Sequence, residues 1–219
     1  MCGRFALHVS EAEIMAHFKL RSGLCMRPRY NLAPAEMIPV IKMQTAQVDF
    51  CRWGYVPAWF KNETSDALPQ GQINARAESL FEKPFFKTAL KSHRCLIPAS
   101  GYFEWRTFGQ KKQPFYFYLK NAPLFAFAGI WSTWQMPNGM SLATCAVITT
   151  EAPTTLAPVH ARIPLILNEN HYEQWLSPRA SPQQLTALLK QPAPTISVHA
   201  VTVRMNNPRF ESEICILPL

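Results

Sequence analysis

Apolar residues along this chain gather mostly in short runs rich in β-branched and aromatic side chains and cut by proline, not at the three-and-four spacing of long helices. These runs predict strands over Ile38–Met43, Gln47–Val56, Arg94–Ile97, Tyr102–Arg106, Phe115–Lys120, Leu124–Trp131, Leu142–Thr149, Ile163–Leu167 and Ile196–Val203. Helical signals are fewer. Ser10-Glu11-Ala12-Glu13 has the form of a capping box, and Ile14, Met15 and Phe18 follow at helical spacing, which predicts a helix over 11–20. Others are predicted over Pro84–Lys91, over Glu169–Leu176, and from Ser181-Pro182, with serine as the cap and proline at the first helical position. The fold class that follows is α+β and β-dominated: mostly antiparallel strands in a barrel-like or two-sheet core with a few short helices. There is no internal repeat, no low-complexity stretch and no linker, so residues 1–219 read as one domain. The polar interval Lys61–Gly71 reads as a surface loop beside a functional segment.

Composition narrows the function classes. A 219-residue chain with 48% hydrophobic residues can bury one sizeable core. The start, Met1-Cys2-Gly3-Arg4-Phe5, lacks the apolar run of a signal peptide, and no window reaches about eighteen uninterrupted apolar residues, so a cytoplasmic, non-membrane protein is expected. Six cysteines, Cys2, Cys25, Cys51, Cys95, Cys145 and Cys215, show no CxxC spacing, which argues against a structural zinc site or a disulfide framework. No metal and no organic cofactor are expected, and most of these cysteines read as small buried apolar residues. The formal charge of +8 favours a polyanionic partner, although a basic balance alone fits many proteins without one.

Cys2 is the most informative single residue. Methionine is normally trimmed when a small residue follows, and trimming would leave cysteine at the amino terminus with two nucleophiles on one residue. An α-amine with a pKa of roughly 7.7 to 8.0 is substantially neutral near physiological pH and attacks aldehydes; a thiol with a pKa of about 8.5 then attacks the imine. An N-terminal aminothiol and an aldehyde thus close to a five-membered thiazolidine. Position alone does not separate this reading from an incidental second residue.

Three other stretches carry chemistry. Asn74-Ala75-Arg76-Ala77-Glu78 sets an amide, a guanidinium and a carboxylate within five residues, suited to a phosphate-bearing ligand or to an ordinary polar loop. Gly101-Tyr102-Phe103-Glu104-Trp105 puts Glu104 among aromatics, where desolvation would raise its pKa and make it a proton shuttle unless strand alternation turns it to water. His160-Ala161-Arg162 stands at a strand entrance after a proline-rich loop. Trp59 and Phe60, running into the polar interval beside Lys61, have the character of base-stacking residues.

Taken in order, Met1-Cys-Gly-Arg-Phe5, Tyr30-Asn-Leu-Ala-Pro34, Trp53-Gly-Tyr-Val-Pro-Ala-Trp59, Asn74-Ala-Arg-Ala-Glu78, Arg94-Cys-Leu-Ile-Pro-Ala-Ser-Gly-Tyr-Phe-Glu-Trp105 and His160-Ala-Arg-Ile-Pro164 resemble the SOS response-associated peptidase (SRAP) family over about residues 1–205. The resemblance implies covalent capture of abasic sites in single-stranded DNA, or at single-strand/double-strand junctions, by Cys2 after loss of Met1, shielding the lesion. It implies that Asn74 orients the terminal residue and the sugar, that Glu104 shuttles protons, and that His160 assists sugar ring opening. Arg4, Arg76 and Arg162 match phosphate-holding positions, Pro34, Trp59 and Phe60 the duplex or base-stacking edge, and Trp105 a position near the strand. The sequence departs from the family where His-Asp-Arg-Met-Pro becomes His160-Ala161-Arg162-Ile163-Pro164, and where Ala-Asp-Gly becomes Ala99-Ser100-Gly101.

Three function classes stay open on sequence: covalent lesion capture, an N-terminal-nucleophile (auto)peptidase in which the α-amine activates the Cys2 thiol, and a non-covalent single-stranded DNA-binding module. A monomer is expected, nucleoid-associated when bound to DNA.

Overall fold

A computed structural model describes residues 2–21, 26–42, 47–61 and 68–219. Met1, Cys25, Met43 at the end of the first predicted strand, and 62–67 of the predicted surface loop lie outside the described residues.

Among the described residues, thirteen strands and four α-helices follow one another as β1 (Phe5–Leu7), α1 (Glu11–His17), β2 (Arg29–Leu32), β3 (Met37–Ile41), β4 (Val48–Trp53), β5 (Asn74–Arg76), α2 (Pro84–Ser92), β6 (Arg94–Ala99), β7 (Gly101–Phe108), β8 (Lys111–Tyr118), β9 (Phe125–Gln135), β10 (Ser141–Glu151), β11 (Arg162–Pro164), β12 (Ile166–Leu167), α3 (Tyr172–Leu176), α4 (Pro182–Leu189) and β13 (Ser197–Ala200). The capping boxes at Ser10/Glu13 and Ser181/Gln184 both form and fix where α1 and α4 begin.

The strands build two sheets. In one, β4, β3, β6, β9 and β10 pair in turn, and β10 returns to β4 through the parallel pairs Thr144–Arg52 and Cys145–Trp53, closing a five-stranded barrel. The other is a five-stranded antiparallel sheet in the order β13-β8-β7-β1-β2. The two-residue side-chain period explains why the barrel strands read as continuous apolar runs. Cys95 and Ile97 of β6, Phe125 and Phe127 of β9, and Cys145 and Val147 of β10 join one core, together with Phe5, Leu7, Tyr102 and Phe117 from the second sheet. The alternate residues, Leu96, Ala128, Ile130, Ala146 and Ile148, pack under Leu90, Trp175 and Leu185 of the helices.

Predicted and observed elements differ where strands are short or the backbone turns sharply. Single runs predicted over Gln47–Val56 and Ile163–Leu167 end earlier or split. Gly54, at φ 144°, turns the chain after β4, and a Cβ there would stand 2.4 Å from the Gln70 carbonyl oxygen. At the second site Leu165 bonds with Ile148 and Ala128 on its two sides and separates β11 from β12. The strands β1, β2 and β5 have only three or four residues, too few for a periodic signal.

Candidate functional site at the junction of the two sheets

Four chain segments meet at the edge shared by the two sheets. The N-terminal segment enters as β1, paired with β7 through Phe5–Tyr102 and Ala6–Gly101, and this antiparallel register, continued two pairs outward past Arg4–Phe103, brings Gly3 opposite Glu104. Gly101 permits the close approach, since a Cβ there would meet the Tyr116 ring at 2.3 Å. From the barrel side, β10 acts as the organiser. It holds β5 in parallel register (Val147–Asn74, Ile148–Ala75, Thr149–Arg76) and β11 antiparallel (Glu151–Arg162, Thr149–Pro164). Asn74, Arg162 and the preceding His160 are thereby carried to the amino terminus of the chain.

The side chains complete the arrangement. Cys2 is fully buried, and the Asn74 amide donates to its carbonyl oxygen at 2.9 Å. Asn74 Oδ1 is buried without a hydrogen-bond partner among the described residues. Burial is the main cause that holds the Cys2 thiol well above its ordinary pKa, so at neutral pH it is protonated and needs a base to become a nucleophile. Glu104 is 2% exposed, and the same cause raises its carboxyl to about 7. Desolvation pushes the His160 imidazole the other way, below its usual value. The two groups lie 3.8 Å apart, Nδ1 to Oε1. A carboxyl that titrates near 7 beside a weakly basic imidazole can pass a proton in either direction at physiological pH.

An open cleft of about 440 Å³ leads to this pair, lined by Glu104, Trp105, Thr107, Lys112, His160 and Asn206. A somewhat larger hollow, about 520 Å³, lies beside β12 and the Gln191–Pro194 segment. Its imidazole, His171, is held by Gln191 at 3.0 Å, and none of the grouped chemistry above lines it. Among the described residues no group of three or more His, Cys, Asp or Glu is arranged to hold a metal ion.

The predicted phosphate-binding arginines have divided fates. The Arg162 guanidinium clasps Glu78 with two hydrogen bonds (2.8 and 2.9 Å) and donates to the Thr149 carbonyl at 2.6 Å. Arg4 donates to Asn31 Oδ1 at 2.9 Å and to the carbonyls of Met205 and Asn206 at 3.1 and 3.3 Å. Both are therefore committed to internal partners, whereas Arg76 projects exposed beside Asn74. Trp105 stands at the cleft with its indole N–H on Asn206 Oδ1 at 2.7 Å. Trp59, 62% exposed against Phe85 of α2, and Phe60, whose carbonyl accepts from Trp134 of β9, are not among the residues lining the cleft. Pro34 is half-buried in the turn after β2, followed by Ala35 at φ 71°.

Sequence reasoning missed three participants. Tyr102 is buried in the same core as Cys2, its hydroxyl has no hydrogen-bond partner among the described residues, and burial raises its pKa well above 10. It lies inside a quoted motif, where two-residue alternation puts it on the face of Glu104. Asn206 reaches the cleft from the C-terminal segment, and Glu78 is the Arg162 partner. Neither pairing leaves a trace in sequence spacing.

Comparison with known proteins gives the family. The sequence model of the SOS response associated peptidase (SRAP) family matches residues 1–208. The chain belongs to the SRAP family. Among SRAP relatives, the abasic site processing protein YoqW of Bacillus subtilis is 37% identical over 97% of each chain, and YoaM of the same organism is 36% identical over 97% of this chain and 96% of its own. The abasic site processing protein HMCES of Gallus gallus is 29% identical over all of this chain and 78% of its own. A solved structure from Bacteroides thetaiotaomicron superposes with a TM-score of 0.89 at 26% identity, covering both chains fully. One from Bordetella bronchiseptica, at 20% identity, reaches 0.77 over 92% of this chain and all of its own and shares the fold.

Proposed function

We propose that this SRAP protein processes abasic sites in DNA by forming a covalent thiazolidine between Cys2, freed of Met1, and the ring-opened aldehyde of the lesion in a single strand. The observation that carries the reading is the placement of Cys2 beside Glu104 and His160, with its carbonyl held by Asn74. The relatives named as abasic site processing proteins support the substrate class.

The chemistry balances without a cofactor. His160 and Glu104 promote opening of the sugar hemiacetal by moving a proton from the anomeric hydroxyl to the ring oxygen, which bares the aldehyde. The α-amine of Cys2 adds to the carbonyl carbon, and the carbinolamine loses its oxygen as water when Glu104, as acid, protonates it. Glu104, now a carboxylate, takes the thiol proton; sulfur attacks the carbon of the protonated imine, and the ring nitrogen keeps the one proton it already carries. One water leaves and nothing is oxidised or reduced. Asn74 fixes the terminal residue, so the two nucleophiles meet one carbon in sequence, an orientation effect of the kind that dominates intramolecular reactions. Selectivity for the lesion follows from shape: a sugar without its base can approach a buried Cys2 that an intact nucleotide would not reach.

Arg76, on the strand that carries Asn74, and Trp105, on the strand that carries Glu104, are suited to hold the adjoining backbone and base. Arg4 and Arg162 serve this site first as props, since their guanidinium groups already hold the C-terminal segment and Glu78. Phosphate contact from either would use the edge left over.

Intact-mass measurement of the Met1-processed protein after incubation with an abasic oligonucleotide tests the proposal. The expected product weighs the sum of the two minus one water and does not form with Cys2→Ala or with N-acetylated protein. An adduct formed by N-acetylated protein overturns it by assigning the bond to another nucleophile, and no adduct with Met1 demonstrably absent overturns it in favour of self-cleavage or non-covalent binding.

A further inference from the structure

Beyond Glu104 the hairpin formed by β7 and β8 leaves the body of the protein. All seven residues from Arg106 to Lys112 are exposed. They include three cations, Arg106, Lys111 and Lys112, and no acidic residue, and none of the three cations forms an ion pair among the described residues. The register pairs Thr107 with Lys112 and Phe108 with Lys111, and the Arg106 guanidinium lies 4.7 Å from the centre of the half-exposed Phe108 ring. Thr107 and Lys112 themselves line the reactive cleft. The base of the arm is fixed from the other side: Trp105 donates to Asn206, Gln113 to the Val201 carbonyl at 2.7 Å, and Val201 N–H to the Pro114 carbonyl at 3.1 Å.

We infer that this hairpin is a nucleic-acid-binding arm, in which Lys112 takes the first phosphate outside the cleft, Arg106 and Lys111 take the following ones, and Phe108 stacks on a base of the same strand. An uncompensated positive ribbon, anchored at its base and continuous with the site, is the complement of a strand leaving it, and an exposed aromatic among the cations adds a sequence-tolerant platform. The inference rests on the reading of the site as one that receives a DNA strand. It adds a binding surface that none of the cleft chemistry requires.

The test uses full-length protein and a fluorescein-labelled single-stranded oligonucleotide, with anisotropy followed over a range of salt concentrations. Replacing Arg106, Lys111 and Lys112 together by serine should weaken binding at least about tenfold at low salt. It should also make the log–log salt dependence shallower by about 2, since each phosphate contact on a single strand contributes roughly 0.7. Phe108→Ala should weaken binding without changing the salt slope. A control removing three exposed cations elsewhere, Lys120, Arg179 and Lys190, should keep the wild-type slope, and thermal unfolding confirms that each variant is folded. Equal loss in the control reduces the effect to the general field of the protein and overturns the inference. So does wild-type binding by the hairpin variant, which would assign the arm to another partner. A wild-type protein that fails to bind the strand at all contradicts the functional reading itself.

Discussion

Glu104 connects burial to chemistry at the level of a single residue. Its carboxyl keeps a proton up to about pH 7 because the side chain is desolvated between β1 and the barrel. A group tuned to that range exchanges protons fastest near neutrality. Glu104→Gln should therefore slow adduct formation by about a hundredfold or more, and the inflection near pH 7 in the wild-type rate profile should vanish; single-turnover rates across pH would show both. A second consequence concerns stability. In the unfolded chain this carboxyl loses its proton near 4.5, and in the fold only near 7, so between those values the native state binds more protons and wild-type stability falls as pH rises. The loss is complete above 7 and amounts to at most about 3 kcal/mol. Relative to Glu104→Gln, wild-type unfolding temperature should decline across that window and run parallel outside it; parallel curves throughout would contradict the assignment. Cys2, Asn74, Glu104 and His160 were legible from sequence as types of chemistry within quoted motifs. Their mutual placement was not, and the commitment of Arg4 and Arg162 to Asn31 and Glu78 depends on tertiary pairings that no local spacing encodes.

Among the elements, β10 and the C-terminal segment do the positioning. β10 was read correctly as a strand from its apolar run, yet its simultaneous pairing with β4, β5, β9 and β11 was invisible, because a run of buried residues states that both faces are covered and not by what. The segment after β13 gave little signal, being short 3₁₀ turns at Val203–Asn206 and Glu213–Cys215. A buried side chain anchors it at three points: the Asn31 amide donates to the carbonyls of Met205, Asn207 and Phe210 at 3.0 to 3.1 Å while its oxygen receives Arg4. Glu211 adds a bond from the Tyr30 amide and an ion pair with Arg29. Asn31→Ala removes one hydrogen bond from each of three carbonyls and one from the Arg4 guanidinium, all of which keep a second partner, so a destabilisation of about 1 to 3 kcal/mol is expected in denaturant unfolding. Early proteolytic cleavage within 203–219 should accompany it, and adduct formation should slow because Asn206 and Trp105 lose their register. An unchanged cleavage pattern would show that the segment is anchored elsewhere.

For the molecule as a whole, a barrel closed by one parallel pairing is joined through a common core to an antiparallel sheet, and the residues proposed to react stand on the shared edge. The β-dominated, mostly antiparallel class followed from proline-cut apolar runs, whereas ring closure did not, since it depends on pairing between residues about ninety positions apart, Arg52 with Thr144. The formal charge of +8 acquires meaning only with the structure: part of the cationic inventory is consumed by internal ion pairs, and the cations outside such pairs include Arg76 beside Asn74 and the arm of β7 and β8. Binding to a single strand should accordingly weaken steeply with salt, while the bond to Cys2, once formed, should not. A denaturing gel exploits that difference. Met1-processed protein is incubated with a single-stranded oligonucleotide carrying one abasic site, beside the intact oligonucleotide and beside Cys2→Ala protein. A band that survives heat, detergent and high salt, present only for wild type with the abasic strand, is the predicted result. The same band with Cys2→Ala, or no band from protein with a verified cysteine terminus, would contradict covalent capture.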